Sequence, residues 1–189
     1  DACLVGSEMC IRDSTKALTR LASLIEKNVF ELAWLLSIEA GRTIEDALSE
    51  IREAADFCRY YTSCATKLVS ENQIEETAGG IFLCISPWNF PLAIFVGQVV
   101  AALVSGNVVI AKPAEQTPLI AYKAVELFYK SGVPSSVLNL LLADGLTTSK
   151  LIDSDLQLSG VAFTGSNSTA YKIQTLSLIH ISEPTRQAS

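Results

Sequence analysis

In the first third of the chain, apolar residues recur every three or four positions. Between residues 15 and 68 this spacing predicts two amphipathic helices, because side chains three and four positions apart share one helix face. The dipeptide Ala40–Gly41 separates the two helices, since glycine readily adopts the left-handed conformation that ends a helix. A polar connector over residues 70–78 follows and leads to Gly79–Gly80.

From residue 81 onwards, short apolar runs alternate with helix-length runs. This alternation favours βαβ units and a mostly parallel sheet covered by helices on both faces. The fold class is therefore α/β, with an N-terminal helical part over residues 15–78 and an incomplete α/β domain over residues 79–175. The predicted strands are 81–86, 108–111, 137–142 and 160–164, and the predicted helices are 91–105, 118–131, 145–151 and 166–174.

The amino-acid composition of the chain argues against several classes of function. The chain has 20 acidic and 14 basic residues, and an acidic balance argues against a nucleic-acid surface. Between residues 15 and 175, Cys58, Cys64 and Cys84 form no CxxC pair, so neither a metal site nor a disulfide framework is indicated. This cysteine usage fits a reducing, cytoplasmic setting.

The stretch from Pro91 to Ala111 is apolar enough to raise a transmembrane alternative. Gln98 and the Gly106–Asn107 break oppose it, because they divide the stretch into a helix-length and a strand-length piece. We therefore predict a buried helix followed by a buried strand.

The two ends of the chain share an unusual relationship. One DNA strand that encodes residues 7–14, SEMCIRDS, has a complement that encodes residues 176–182, LSLIHIS. Such an inverted element resembles a transposase adaptor of sequencing libraries, so we predict that residues 1–14 and 176–189 are non-native and make no core contacts. His180, the only histidine, lies in this tail and is therefore excluded as a catalytic candidate.

Three loops follow predicted strands at the edge where such sheets bind ligands. In the first, ISPWNFP, Asn89 stands between Pro87 and Pro91, which stiffen the loop. A rigid amide suits donation to an oxygen that gains negative charge in a transition state. The alternative, which residue type alone favours, is that Asn89 caps the following helix.

The other two loops carry groups that suit a nucleotide. In AKPAEQTP, the Glu115 carboxylate could accept hydrogen bonds from ribose hydroxyls and repel a 2′-phosphate, with Lys112 nearby; the alternative is a solvated charge pair. In FTGS, Gly165 and Ser166 begin a helix, a position that suits pyrophosphate or a simple cap. The three cysteines are predicted to be small buried hydrophobes rather than nucleophiles.

ISPWNFP, KPAEQTP and VAFTGS, in this order, resemble the aldehyde dehydrogenase superfamily. The longer stretch CISPWNFPLAIFVGQVVAALVSGNVVIAKPAEQTPLIA and the upstream EIREAADFCRYY are similar to the aldehyde dehydrogenase part of bifunctional proline-utilisation enzymes. The resemblance implies a partial Rossmann-like NAD-binding domain, preceded by the helices. It also implies oxidation of L-glutamate γ-semialdehyde to L-glutamate with NAD, a small aldehyde substrate, a proline dehydrogenase domain upstream and a homo-oligomer.

The resemblance assigns roles to individual residues. Asn89 matches the family's oxyanion-stabilising asparagine, which reverses the preference for a cap, while Glu53 and Phe90 match positions that touch the amino-acid end of the substrate. The family's cysteine nucleophile and glutamate base are expected beyond Thr175, so the fragment itself is predicted to be inactive. No metal site is expected. The implied cofactor-binding residues are Ile85, Ser86, Pro87, Trp88, Lys112, Glu115, Gly145, Gly165 and Ser166.

Two departures from the family pattern bear on the cofactor loops. The chain has LADGLTTSK where relatives have several glycines, and NSTA after FTGS where Thr-Glu is common. These departures indicate a remodelled cofactor loop. Two alternatives to the implied function also remain open. The first is another semialdehyde dehydrogenase, such as one for succinic semialdehyde, and the second is a non-catalytic nucleotide-binding module.

Overall fold

A computed structural model describes residues 11–70, 80–153 and 158–177. Within the described residues, the helical part contains three helices, α1 (Ile11–Lys27), α2 (Val29–Ala40) and α3 (Ile44–Ser70). Gly41 ends α2 in the left-handed conformation, with φ 63°, as predicted. The predicted number of two helices is wrong, because Asn28 leaves helical geometry and its side-chain amide donates to the Leu24 carbonyl at 2.7 Å.

Helix α1 starts inside the segment predicted to be non-native. Ser14 is fully buried, so the expectation that this segment makes no core contacts is wrong at that residue. Helical periodicity explains the burial, since Ser14 lies three, four and seven positions before the buried Ala17, Leu18 and Leu21. The origin of the terminal segments stays a prediction, and His180 lies outside the described residues.

The remaining elements form the predicted α/β arrangement. Every described strand pair is parallel, and the sheet order is β3-β2-β1-β4, which confirms the fold class. The predicted boundaries differ from the observed ones by at most a few residues. In chain order the elements are β1 (Ile81–Ile85), α4 (Ala93–Val104), β2 (Val108–Lys112), α5 (Pro118–Ser131), β3 (Leu138–Leu140), α6 (Gly145–Ile152), β4 (Leu158–Phe163) and α7 (Asn167–Ser177).

The strand order determines where a ligand can bind. From β1 to β3 the chain advances in one direction across the sheet, and it then crosses back to place β4 on the other side of β1. Right-handed crossovers put α4 and α5 on one face and α6 on the other. This reversal opens a crevice at the carboxyl ends of β1 and β4, where Ile85 pairs with both Lys112 and Phe163.

One hydrophobic cluster joins the helical part to the sheet. It contains residues of α1 to α5 together with four residues of the strands, which are Cys84, Val109, Ala111 and Leu138. Gly97 permits close approach of α3 and α4, because a Cβ at that position would lie 3.0 Å from Cδ2 of Phe57. The loop before α4 is thereby held next to α3.

The apolar stretch that raised a membrane alternative folds as α4 and β2, divided at Gly106–Asn107 as predicted. Most of α4 is buried in the protein core. In the part of the chain that the structure describes, no helix has both the length and the apolar character needed to cross a bilayer.

Candidate functional site

The loops that follow β1, β2 and β4 enclose a cleft of ≈ 590 Å³. Its lining contains every residue that the sequence nominated for oxyanion stabilisation or cofactor binding. The structure therefore brings together residues that are up to about eighty positions apart in the sequence. These residues are Ile85, Ser86, Pro87, Trp88, Asn89, Lys112, Glu115, Gly145, Gly165 and Ser166.

The cleft also contains residues that the sequence analysis did not nominate. Four of the six lie within the AKPAEQTP and FTGS motifs themselves, and their place in these motifs was the signal available in the sequence. One further contact joins the walls, since the Gln98 side-chain amide of α4 donates to the Thr164 hydroxyl at 3.0 Å. The additional lining residues are Ile94, Ala114, Gln116, Phe163, Thr164 and Thr169.

The β1 loop presents Asn89 at the surface of the cleft. Asn89 does not cap α4, because Leu92 occupies the N-cap position and no side chain of the cap residue bonds to the helix. The buried Glu50 carboxylate of α3 instead accepts the backbone N–H groups of Leu92 and Ala93, at 2.8 and 3.2 Å. The capping alternative is therefore wrong, and Glu50 is a residue that the sequence analysis missed.

The β2 loop contains the predicted charged pair in an unexpected environment. Lys112 is buried, and its Nζ donates to the carbonyl of Pro113 at 3.1 Å. Burial lowers the Lys112 pKa, although the charges of Glu115 and Asp144 oppose this shift. Glu115 is exposed and its Oε1 accepts the Gly145 N–H at 2.9 Å. The solvated-pair alternative is thus wrong for Lys112, and Glu115 is oriented by the first residue of α6.

The β4 loop leads directly into the N-terminus of α7. The Ser166 carbonyl and hydroxyl both accept the Thr169 N–H, at 3.1 and 3.3 Å, so this serine caps the helix. A Cβ on Gly165 would lie 2.7 Å from Cζ of Phe163, so a larger residue at this position would require the ring to move. The partial positive charge of a helix N-terminus opens onto the cleft at this point, and it favours a bound phosphate group.

The two residues predicted to touch the substrate lie elsewhere. Glu53 is exposed on α3 and lines a separate groove of ≈ 470 Å³. The Phe90 ring lies 4.2 Å below the Arg42 guanidinium and is not part of the cleft lining. The structure therefore does not bring Glu53 and Phe90 together with Asn89 around the cleft.

Two of the three described cysteines, Cys58 and Cys84, are buried as predicted and are poor candidates for a nucleophile, whereas Cys64 is only half-buried, so the predicted burial is wrong for it. Burial raises the pKa of both Cys58 and Cys84 to about 12. Among the residues that the structure describes, the cleft lining includes no cysteine and no histidine, and no His/Cys/Asp/Glu group could hold a metal ion. The described cleft can therefore bind and polarise a ligand, but it offers no thiol for covalent attack.

The sequence profile of the aldehyde dehydrogenase family matches residues 6–183. The chain belongs to the aldehyde dehydrogenase family. The profile also matches part of both terminal segments that were predicted to be non-native, although this overlap does not establish their origin.

Two relatives show which members of the family this chain is similar to. The bifunctional protein PutA of Klebsiella aerogenes is 46% identical over 157 residues, which cover 83% of this chain and 12% of that protein. The 1-pyrroline-5-carboxylate dehydrogenase of Anoxybacillus flavithermus is 36% identical, with 82% of this chain and 32% of that protein covered.

A solved structure matches the fold as well. The NAD-dependent aldehyde dehydrogenase of Sinorhizobium meliloti superimposes with a TM-score of 0.82 at 28% identity, covering 92% of this chain and 36% of that one. The chain thus spans about a third or less of the lengths of these three relatives.

Proposed function

We propose that this chain is part of an NAD-dependent aldehyde dehydrogenase that oxidises L-glutamate γ-semialdehyde to L-glutamate. The observation that carries the proposal is the convergence of the three loops on one cleft at the β1–β4 crevice. The names of the PutA and 1-pyrroline-5-carboxylate dehydrogenase relatives support the choice of substrate, and the NAD-dependent relative supports the cofactor.

The cleft offers groups that fit a dinucleotide. The N-terminus of α7 at Ser166 suits the pyrophosphate, while Glu115 and Lys112 suit the adenosine ribose. Ser86 lines the same cleft, and its buried hydroxyl has no hydrogen-bond partner among the described residues. Trp88 adds an aromatic face to the cleft. When bound there, NAD would supply the hydride acceptor.

Within the reaction, Asn89 would act on the aldehyde oxygen. Its side-chain amide would donate a hydrogen bond to the oxygen as negative charge develops there, which lowers the barrier to attack on the carbonyl carbon. The attacking cysteine and the glutamate that activates water would come from residues outside this chain. For that reason we propose that the isolated chain does not complete the reaction.

Two alternative functions are each supported by one observation. Because no cysteine or histidine lines the described cleft, a non-catalytic nucleotide-binding module would have the same groups. Because Glu53 and Phe90 lie outside the cleft, the residues that recognise the amino-acid end of the substrate are not assigned, and another semialdehyde could be the substrate.

The relatives and the cysteines also bear on the domains, the oligomeric state and the cellular location of the full-length protein. We propose a proline dehydrogenase domain in the same full-length chain. The reason is that bifunctional PutA, at 46% identity, is more similar to this chain than the 1-pyrroline-5-carboxylate dehydrogenase, at 36% identity. Homo-oligomerisation of the full-length protein is proposed from the family resemblance. A cytoplasmic location is proposed because the three cysteines of the described part are free.

Steady-state kinetics of the intact protein that carries this segment test the proposal. With NAD, L-glutamate γ-semialdehyde should be oxidised with a kcat/KM at least about tenfold above that for succinic semialdehyde. Asn89→Ala should lower kcat by about a hundredfold or more, as expected for loss of an oxyanion donor.

Asn139→Ala is the matched control, since Asn139 is exposed on β3 and does not line the cleft. An intact protein that binds NAD but oxidises neither aldehyde would support the non-catalytic module. An unchanged kcat for Asn89→Ala would refute the oxyanion role.

A further inference from the structure

The loop that carries Asn89 is held by two residues from the helical part. Glu50 on α3 is 2% exposed, and its Oε1 accepts the N–H groups of Leu92 and Ala93. A buried carboxylate is costly unless such donors surround it. Burial raises the Glu50 pKa, while the two amides and Arg42 counteract that shift. The carboxylate thus fixes the point at which the loop enters α4.

Arg42 links Glu50 to Asn89. Its Nε lies 3.3 Å from Oε2 of Glu50, while its Nη2 donates to the backbone carbonyl of Asn89. The guanidinium also lies over the Phe90 ring, at 4.2 Å from the centroid. One planar cation therefore contacts the buried carboxylate and two successive residues of the loop.

The local sequence explains why an arginine reaches this place. Gly41 ends α2 in the left-handed conformation, and α3 begins only at Ile44. This short turn brings Arg42 beside Glu50, which lies on the buried side of α3. Neither Arg42 nor Glu50 lines the cleft, so both act on the loop from outside the ligand site.

We propose that Arg42 and Glu50 are positioning residues for the reaction, which fix the backbone of Asn89 so that its amide points at the substrate oxygen. This inference rests on the proposed function. Pro87 and Pro91 stiffen the ends of the loop, but the backbone between them carries no hydrogen bond within the sheet. An oxyanion donor must be held to within a fraction of an ångström, so the Arg42 contact would set the efficiency of the amide.

A merely structural role makes a different prediction. If the pair only joined α3 to α4, its loss would lower stability and would leave the kcat of the folded enzyme unchanged. If it positions Asn89, its loss lowers kcat while the KM for NAD stays the same, and the effect disappears once the Asn89 amide is removed.

The test is a double-mutant cycle in the intact protein, with kcat and the KM for NAD as readouts. Arg42→Met should lower kcat by about tenfold or more, and Arg42→Lys should also lower it, because an ammonium cannot contact Glu50 and Asn89 in the same planar arrangement. In the Asn89→Ala background, Arg42→Met should change kcat by less than about twofold.

Arg59→Met serves as the matched control. Arg59 lies on α3, the helix that carries Glu50, and pairs at the surface with Glu26 at 2.7 Å and with Asp56 at 3.4 Å, so its removal should leave kcat unchanged. Should Arg42→Met fail to fold, Arg42→Lys enters the cycle in its place, because it keeps the charge next to Glu50.

The outcomes separate this inference from the function on which it rests. A fall in kcat for Asn89→Ala but not for the Arg42 variants would overturn the positioning role alone. Equal effects of the Arg42 substitution in both backgrounds would overturn it as well. An unchanged kcat for Asn89→Ala would instead refute the proposed role of the amide, and the positioning role with it.

Discussion

The burial of Cys58 and Cys84 predicts that neither thiol reacts in the folded protein. Their pKa is about 12, whereas a free cysteine has a pKa of about 8.5. At pH 7.5 roughly a tenth of a free thiol is ionised, against a few parts in 10⁵ of these two. Since the thiolate is the reactive form, alkylation should be about three orders of magnitude slower than for an exposed thiol.

The assay is a time course of iodoacetamide labelling of the intact protein, with each cysteine followed by peptide-resolved mass spectrometry. The half-buried Cys64 provides a comparison within the same helix as Cys58. In denaturant, all three thiols should be labelled at similar rates. If folded Cys84 reacted within about tenfold of a free thiol, the burial argument would be refuted, and the proposal that the nucleophile lies outside this chain would lose support.

Two other substitutions test the core and the cofactor preference. Phe95→Ala removes a buried ring from α4 and should lower the free energy of unfolding by about 3–5 kcal/mol in urea titrations, whereas a loss below about 1 kcal/mol would show that the site is not packed as described. Glu115→Gln removes the charge that would repel a 2′-phosphate, so the ratio of kcat/KM for NAD over NADP should fall in the intact protein; an unchanged ratio would place the ribose elsewhere.

The sequence predicted the fold class and the meeting of the three loops because both depend on local patterns, whereas Trp88 and Gly145 were nominated through the family resemblance. Alternation of strands and helices determines a parallel sheet, and parallel strands bring the residues that follow them to one edge. The loops after residues 85, 112 and 163 therefore had to converge, and the observed register aligns these three strand ends.

The features that were missed depend on tertiary packing. The contacts of Glu50 with the start of α4 join residues more than forty positions apart, and the spacing of apolar residues does not predict such contacts. Asn28 interrupts an otherwise continuous helical pattern through a side-chain hydrogen bond that apolar spacing does not reveal. The substrate roles of Glu53 and Phe90 came from the resemblance and stay predictions, and both residues lie outside the cleft that the cofactor loops form.

The central claim is that NAD binds at the crevice between β1 and β4. Hydrogen–deuterium exchange of the intact protein, with and without saturating NAD, measures this directly. The account predicts slower exchange in residues 85–91, 112–117 and 163–169, the three segments that line the cleft, and no change in α2. Saturable NAD binding with protection elsewhere and none in these segments would contradict it.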